Sequence, residues 1–153
     1  MDRITAAIAL GSNLGDRRAH LDTAVAKLHA LVTGLRVSRF HQTIPVGASG
    51  PQGLYLNAAA VGETSLSARE LLDALLAIEQ EAGRERPFPN APRSLDLDLV
   101  LFGDAVIEEP GLAVPHPRFR VRRFVLEPLA EVAPDLRDPV SGKSVAELLK
   151  DAV

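Results

Sequence analysis

PRSLDLDLVLF, residues 92–102, alternates as a β-strand does and carries two aspartates within that alternation. Side chains of a strand point to its two faces in turn, so Asp96, Asp98 and Val100 share one face, and Leu95, Leu97, Leu99 and Leu101 share the other. The leucine face requires a core. The opposite face holds two carboxylates roughly 6–7 Å apart, from a rise of about 3.3 Å per residue. Each repels the other unless water, an arginine or a metal ion intervenes.

The flanking sequence supplies a sheet for this strand. ITAAIALGS (4–12) is apolar and unbroken, as a buried strand would be. DRRAHLDTAVAKLHALV (16–32) places Leu21, Ala24, Val25, Leu28, Leu31 and Val32 at helical spacing, with Asp16 as N-cap and Gly34 as the stop. LRVSRFHQT (35–43) and LYLNAAAVGET (54–64) read as strands, separated by the Gly/Pro-rich loop IPVGASGPQG. SARELLDALLAIEQEAG (67–83) opens on a Ser67/Glu70 capping box and stops at Gly83. RERPFPNAP (84–92) is irregular, and the aspartate strand follows. The order β-α-β-β-α-β predicts an α+β, ferredoxin-like sandwich, an antiparallel sheet with both helices on one face. C-terminal additions follow. AVIEEPGLAVPHPRFRVRRF reads as short extended pieces, FVLEPLAEVA as a helix, and SVAELLKDA as another with a Ser144/Glu147 capping box. One domain spans 1–153.

Bulk properties narrow the function. The chain is 46% hydrophobic and 24% charged, with a net charge of −3 and no cysteine. These values argue against a nonspecific nucleic-acid binder and exclude disulfides and thiol catalysis. No apolar run approaches the ~20 residues of a membrane span. The N-terminus lacks the pattern of a signal peptide, so a cytoplasmic location is expected. Seven of the 14 arginines lie between Arg84 and Arg123, against three lysines in the whole chain. Planar guanidinium forks suit phosphate, although a solvated basic surface has the same composition.

A wet edge strand can carry Asp-x-Asp without any ligand. Arginines on both sides of the pair add another reading: carboxylates for Mg²⁺ beside cations for a polyphosphate, as in a nucleoside-triphosphate site. SGKS (141–144) lacks the first glycine of a P-loop, and GSNLGD (11–16) reads as a glycine turn without the dinucleotide-binding spacing. Tyr55 and Asn57 share a face, as a platform for a flat heterocycle or as a core tyrosine and its partner. His116, between prolines and beside arginines, stands out among the four histidines.

GSNLGD, YLNAA, IEQEAGRER, APRSLDLDLVLFG, VPHPRFRVRRFVLEPL and APDL fall in the order found in the 6-hydroxymethyl-7,8-dihydropterin pyrophosphokinases, and the chain resembles that family from about Ile8 to Leu149. The resemblance implies transfer of pyrophosphate from ATP to the pterin hydroxymethyl group, with release of AMP, by a monomer. It implies Asp96 and Asp98 as ligands of two Mg²⁺ ions, and Arg84 and Arg93 as the arginines that bind ATP and stabilise the transferring group. His116 and Arg122 correspond to nucleotide and phosphate contacts, and Glu79 to a residue near the nucleotide. Tyr55 and Phe124 correspond to a pair that sandwiches the pterin, with Asn57 on its edge and Thr43 and Val46 meeting it through backbone groups. The loops 44–53 and 84–92 are expected to act as lids. Pro89-Asn90-Ala91-Pro92-Arg93 stands where many members have Arg-Trp-Gly-Pro-Arg, and Pro117 where an aromatic residue is common.

Overall fold

The computed structural model describes residues 3–13, 15–43, 55–83 and 95–152. The main sheet is antiparallel, and its central strand is β1 (Ile4–Ser12). β1 pairs on one edge with β4 (Tyr55–Thr64) and on the other with β5 (Asp96–Phe102). β2 (Thr33–Val37) and β3 (His41–Thr43) both pair with the far side of β4. Counting β2 and β3 as one interrupted strand, this is the ferredoxin-like order predicted from the sequence.

Two cores lie on the two faces of the sheet. On one, α1 (Arg17–Leu28) and α2 (Ala68–Glu81) bury Leu21, Ala24, Leu28, Leu71 and Leu75 against Ile8, Leu10, Leu97 and Leu99. Each of those fully buried leucines contributes about 1.5–3 kcal/mol relative to exposure. On the other, α3 (Arg123–Val132) and α4 (Val145–Asp151) bury Leu126, Leu129, Val145 and Leu148 against Ala7, Ala59 and Val61. Both predicted capping boxes form: Ser67 exchanges bonds with Glu70, and Ser144 with Glu147.

Four local readings are corrected. α1 ends at Leu28, because Leu31 N–H bonds Leu28 O and tightens the chain into a turn. Gly34 is then a residue of β2, with φ +62°, and not the helix stop. Residues 35–43 are not one strand. The register gains one residue between Val37↔Ala60 and His41↔Asn57, and Ser38 bridges the break, accepting Ala59 N–H on its Oγ. Leu101 does not share the face of Leu95, Leu97 and Leu99. Ile8 pairs with Leu99 but Ala7 with Leu101, so Val100 is an extra residue, a β-bulge, and both Val100 and Leu101 enter the α3/α4 core.

A buried carboxylate paired with an arginine helps to fasten the C-terminal additions. β6 (Ile107–Glu109) and β7 (Leu112–Val114) form a hairpin through Pro110-Gly111, where Gly111 takes φ +77°. A 3-10 turn at Phe119–Val121 then leads into α3. Arg120 of that turn donates to the fully buried Asp138, which also accepts Val140 N–H, Ser141 N–H and the Ser141 hydroxyl. Hydrogen bonding from Arg120, and then from Ser141 and Val140, outweighs burial and holds the Asp138 carboxyl well below the usual carboxylate range. A depressed folded-state pKa stabilises above the unfolded value and ceases to do so as pH falls through the folded one. Asp138→Ala is therefore expected to cost about 3 kcal/mol at neutral pH in urea denaturation. The gap from the parent should narrow below about pH 4, the ordinary range of an unfolded carboxyl. A gap constant down to about pH 2 would contradict the ion-pair account.

Candidate active site

The register of the sheet assembles the site. Asp96 pairs with Gly11, Gly11 pairs with Asn57, and Asn57 pairs with His41, so these four residues form one row across four strands. Asp98, Ala9 and Ala59 form the next row. Directly paired residues point to the same face, here the face that α3 covers. α3 packs over Ala9 and Ala59 and brings Phe124 to that layer.

At one end of the row lies a polar and aromatic group. Asn57 is buried, and its Nδ2 donates to Thr43 Oγ1. That bond turns the carboxamide oxygen towards β1. The Tyr55 ring lies beside it, near Gly11. The Arg122 guanidinium stands 5.5 Å from the centre of the Phe124 ring, a cation–π distance.

At the other end are the two aspartates, on a strand that among the described residues is paired on one edge. Glu79 of α2 closes part of the open edge. It is 2% exposed, and its Oε2 accepts Leu97 N–H at 2.7 Å, between the two aspartates in sequence. Beyond Asp98 lies a cavity of about 320 Å³, lined among others by Leu72, Leu99, Leu112, Glu109 and His116. Three leucines give it an apolar wall, and Asp98 with His116 gives it a polar end. Pro117 also lines it.

The bulge in β5 fixes His116. His116 N–H donates to Val100 O at 2.9 Å, so the extra residue offers a carbonyl to the loop. The ring Nδ1 accepts Arg118 N–H at 3.2 Å, which leaves Nε2 to carry the hydrogen of the neutral ring. Burial, and then the charge of Arg122, lowers the His116 pKa; Asp96 acts in the opposite sense and Arg118 in the same. These effects favour the neutral ring, with Nε2 free of the Arg118 bond and turned to serve as a donor.

Of the site residues expected from the sequence, Thr43, Tyr55, Asn57, Asp96, Asp98, His116, Arg122 and Phe124 lie around this face, and Glu79 braces it from the α2 side. Val46, Arg84 and Arg93 lie outside the described residues, as do the loops 44–53 and 84–92. Sequence reasoning missed a clasp that holds β3. Glu131 of α3 accepts Arg39 N–H at 3.0 Å, the Arg39 guanidinium at 3.3 Å, and His41 Nε2. Burial would raise the Glu131 pKa, but these bonds hold its carboxyl below the ordinary value. On the other side of the break, Phe40 packs under Arg18 of α1 at 4.9 Å. The sequence carried little signal for it, since Glu131 is one of three charged residues, with Arg123 and Glu127, on an amphipathic helix.

Mg²⁺ prefers oxygen ligands, keeps several waters, and commonly takes one or two carboxylates plus substrate phosphates. Asp96 and Asp98 on one face beside an open cavity fit that requirement. Among the described residues no group of three or more acidic or imidazole side chains gathers, as an all-protein metal cage would need.

The model of the family 7,8-dihydro-6-hydroxymethylpterin-pyrophosphokinase (HPPK) matches residues 7–134. The 2-amino-4-hydroxy-6-hydroxymethyldihydropteridine pyrophosphokinase of Synechocystis sp. is 46% identical over 146 residues, 95% of this chain and 74% of that protein. The enzyme of the same name from Bacillus subtilis is 50% identical over 127 residues, 82% of this chain and 75% of its own length. The crystal structure of wild-type Plasmodium falciparum HPPK-DHPS superposes with a TM-score of 0.77 at 12% identity, over 98% of this chain and 45% of that one, which establishes likeness of fold. By sequence and by fold, the chain belongs to the 7,8-dihydro-6-hydroxymethylpterin-pyrophosphokinase family.

Proposed function

We propose that pyrophosphoryl transfer from ATP to 6-hydroxymethyl-7,8-dihydropterin, the family's step in folate biosynthesis, runs along the sheet row from Asn57 to Asp96. The observation that carries this assignment is the register itself: a carboxamide suited to a heterocycle edge and a carboxylate suited to a metal lie in one row with only Gly11 between them.

ATP occupies the cavity beyond Asp98, with its base towards Leu72, Leu99 and Leu112 and its phosphates towards His116, Arg122 and the aspartates. The pterin lies between Tyr55 and Phe124, its edge on Asn57, with Thr43 and Val46 beside it. Asp96 and Asp98 would hold Mg²⁺, two ions in the full complex, which would supply charge neutralisation and alignment of the triphosphate. Glu79 contributes by keeping β5 in place. The pterin hydroxyl oxygen bonds to the β-phosphorus, and the bond from that phosphorus to the α–β bridging oxygen breaks. AMP leaves with the bridging oxygen, and the hydroxyl proton passes to water. Such transfer needs positioning and electrostatic stabilisation more than covalent help from the protein. Neutral His116 donates a hydrogen bond to phosphate, and Arg122, Arg84 and Arg93 offset the negative charge. The chain acts as one domain and one monomer, in the cytoplasm, on two small molecules. No helix among the described residues is long and apolar enough to cross a membrane.

The decisive experiment supplies MgATP with and without 6-hydroxymethyl-7,8-dihydropterin and identifies the nucleotide product by chromatography. AMP should form only with the pterin and disappear with EDTA. ADP as main product would indicate attack at the γ-phosphorus. AMP formed equally without pterin would indicate a hydrolase. Asp96→Asn or Asp98→Asn should lower turnover on the order of 100-fold or more, since charge neutralisation contributes several kcal/mol. Their circular dichroism and thermal midpoint should stay near the parent's, because the leucine face of β5 is untouched. Phe124→Ala should weaken pterin binding in calorimetry by roughly 2- to 12-fold, the 0.5–1.5 kcal/mol of a stacked aromatic pair. Parental affinity in that variant would remove Phe124 from the pterin site.

A further inference from the structure

β1 presents residues of very different size to its two faces. Ile8 and Leu10 enter the α1/α2 core, while Ala7, Ala9 and Gly11 line the opposite face. Gly11 is the residue of this line that stands between Asn57 and Asp96. Its backbone does not demand glycine: it lies in a regular strand and is absent from the glycines with positive φ. Glycine inside a strand costs stability, because it loses more conformational freedom and packs no side chain. Its presence is accounted for by what lies above it.

A Cβ at Gly11 would lie 3.2 Å from Asn57 Oδ1, and 3.5 and 3.7 Å from two carbons of the Tyr55 ring. The ring contacts are ordinary, but the carboxamide would have to give way by a few tenths of an ångström. Asn57 has little freedom to do so, since its Nδ2 is engaged by Thr43 Oγ1. The clearance over Gly11 is therefore set by Asn57. Two strand spacings, about 10 Å, separate Asn57 from Asp96 across this gap. A flat acceptor held at its edge by Asn57 must extend its reacting hydroxymethyl arm over Gly11 to reach phosphate at Asp96.

We propose that Gly11 is a specificity-determining position: its missing side chain keeps open the strip of sheet that the acceptor's hydroxymethyl arm crosses between Asn57 and the aspartates. This rests on the placement of acceptor and donor given above. The glycine admits a planar heterocycle with a short primary alcohol lying close to the backbone, and a methyl group at this point lifts it away from the phosphate.

The test compares the parent, Gly11→Ala and Asn57→Ala. Three quantities are read: the thermal midpoint, the affinity for a non-hydrolysable ATP analogue with Mg²⁺, and the affinity for 6-hydroxymethyl-7,8-dihydropterin in the presence of that analogue. Turnover is measured alongside. Gly11→Ala should leave the thermal midpoint near the parent's, because the better strand propensity of alanine offsets the small displacement of the Asn57 carboxamide, and should bind the nucleotide analogue within about twofold of the parent. It should lose pterin affinity about tenfold or more, and turnover by more than that. A large fall in the thermal midpoint would make the glycine a packing requirement and overturn the proposal. Parental pterin affinity and turnover in Gly11→Ala, with Asn57→Ala impaired, would overturn it while leaving the acceptor site in place. Parental pterin affinity in Asn57→Ala would instead overturn the acceptor site itself, and the proposal with it.

Discussion

Pairing of β1 on both of its edges is the constraint on which the rest depends. β4 and β5 touch the site only through their register with β1, and a slip of one residue on either edge would move its functional side chains to the opposite face. Two cores hold that register. Leu97 and Leu99 fit only the α1/α2 layer, and Ala59 and Val61 only the layer under α3. Asn57 and Asp96 face each other across Gly11 because hydrophobic burial elsewhere on the same strands leaves no other alignment.

Electrostatic roles divide in the same spatial way. Arginines crowded in sequence between Arg118 and Arg123 do different work. Arg120 is held by buried Asp138 and anchors the 3-10 turn, whereas Arg122 stands over Phe124 and lowers the pKa of His116. Arg123 pairs along its own helix with Glu127 at 2.7 Å. One of these neighbours is structural, one faces the site, and one lies on a solvated helix surface. Their order along the chain does not distinguish them; their partners do.

Local patterns made most of the fold and the aspartate pair readable. Period two exposed Asp96 and Asp98, and capping boxes marked the starts of α2 and α4. Features that depend on two strands at once stayed hidden. A bulge at Val100 is a mismatch between β1 and β5, so no reading of β5 alone could reveal that Leu101 leaves the face of Leu99. The break at Ser38 is likewise a mismatch with β4. Glu131 and His41 stand 90 residues apart in the chain, and Asp138 and Arg120 stand 18 apart. Gly11 was legible as a strand residue, but the reason it is glycine came only from what leans over it.

Val100 has one more effect. An ordinary strand has a single phase, so one set of neighbours dictates the side of every residue along it. The bulge cuts β5 into two segments of independent phase. From Leu101 onward the residues answer to the packing of α3 and the hairpin, and before Val100 to that of α1 and α2. Substitutions that reshape the distal end can accumulate without turning the aspartates over. Loss of a single residue between Leu99 and Leu101 would join the phases and set the two ends of the strand against each other, with carboxylates in a leucine core if the distal end prevailed. The spare residue insulates the chemistry of the sheet from the evolution of its edge.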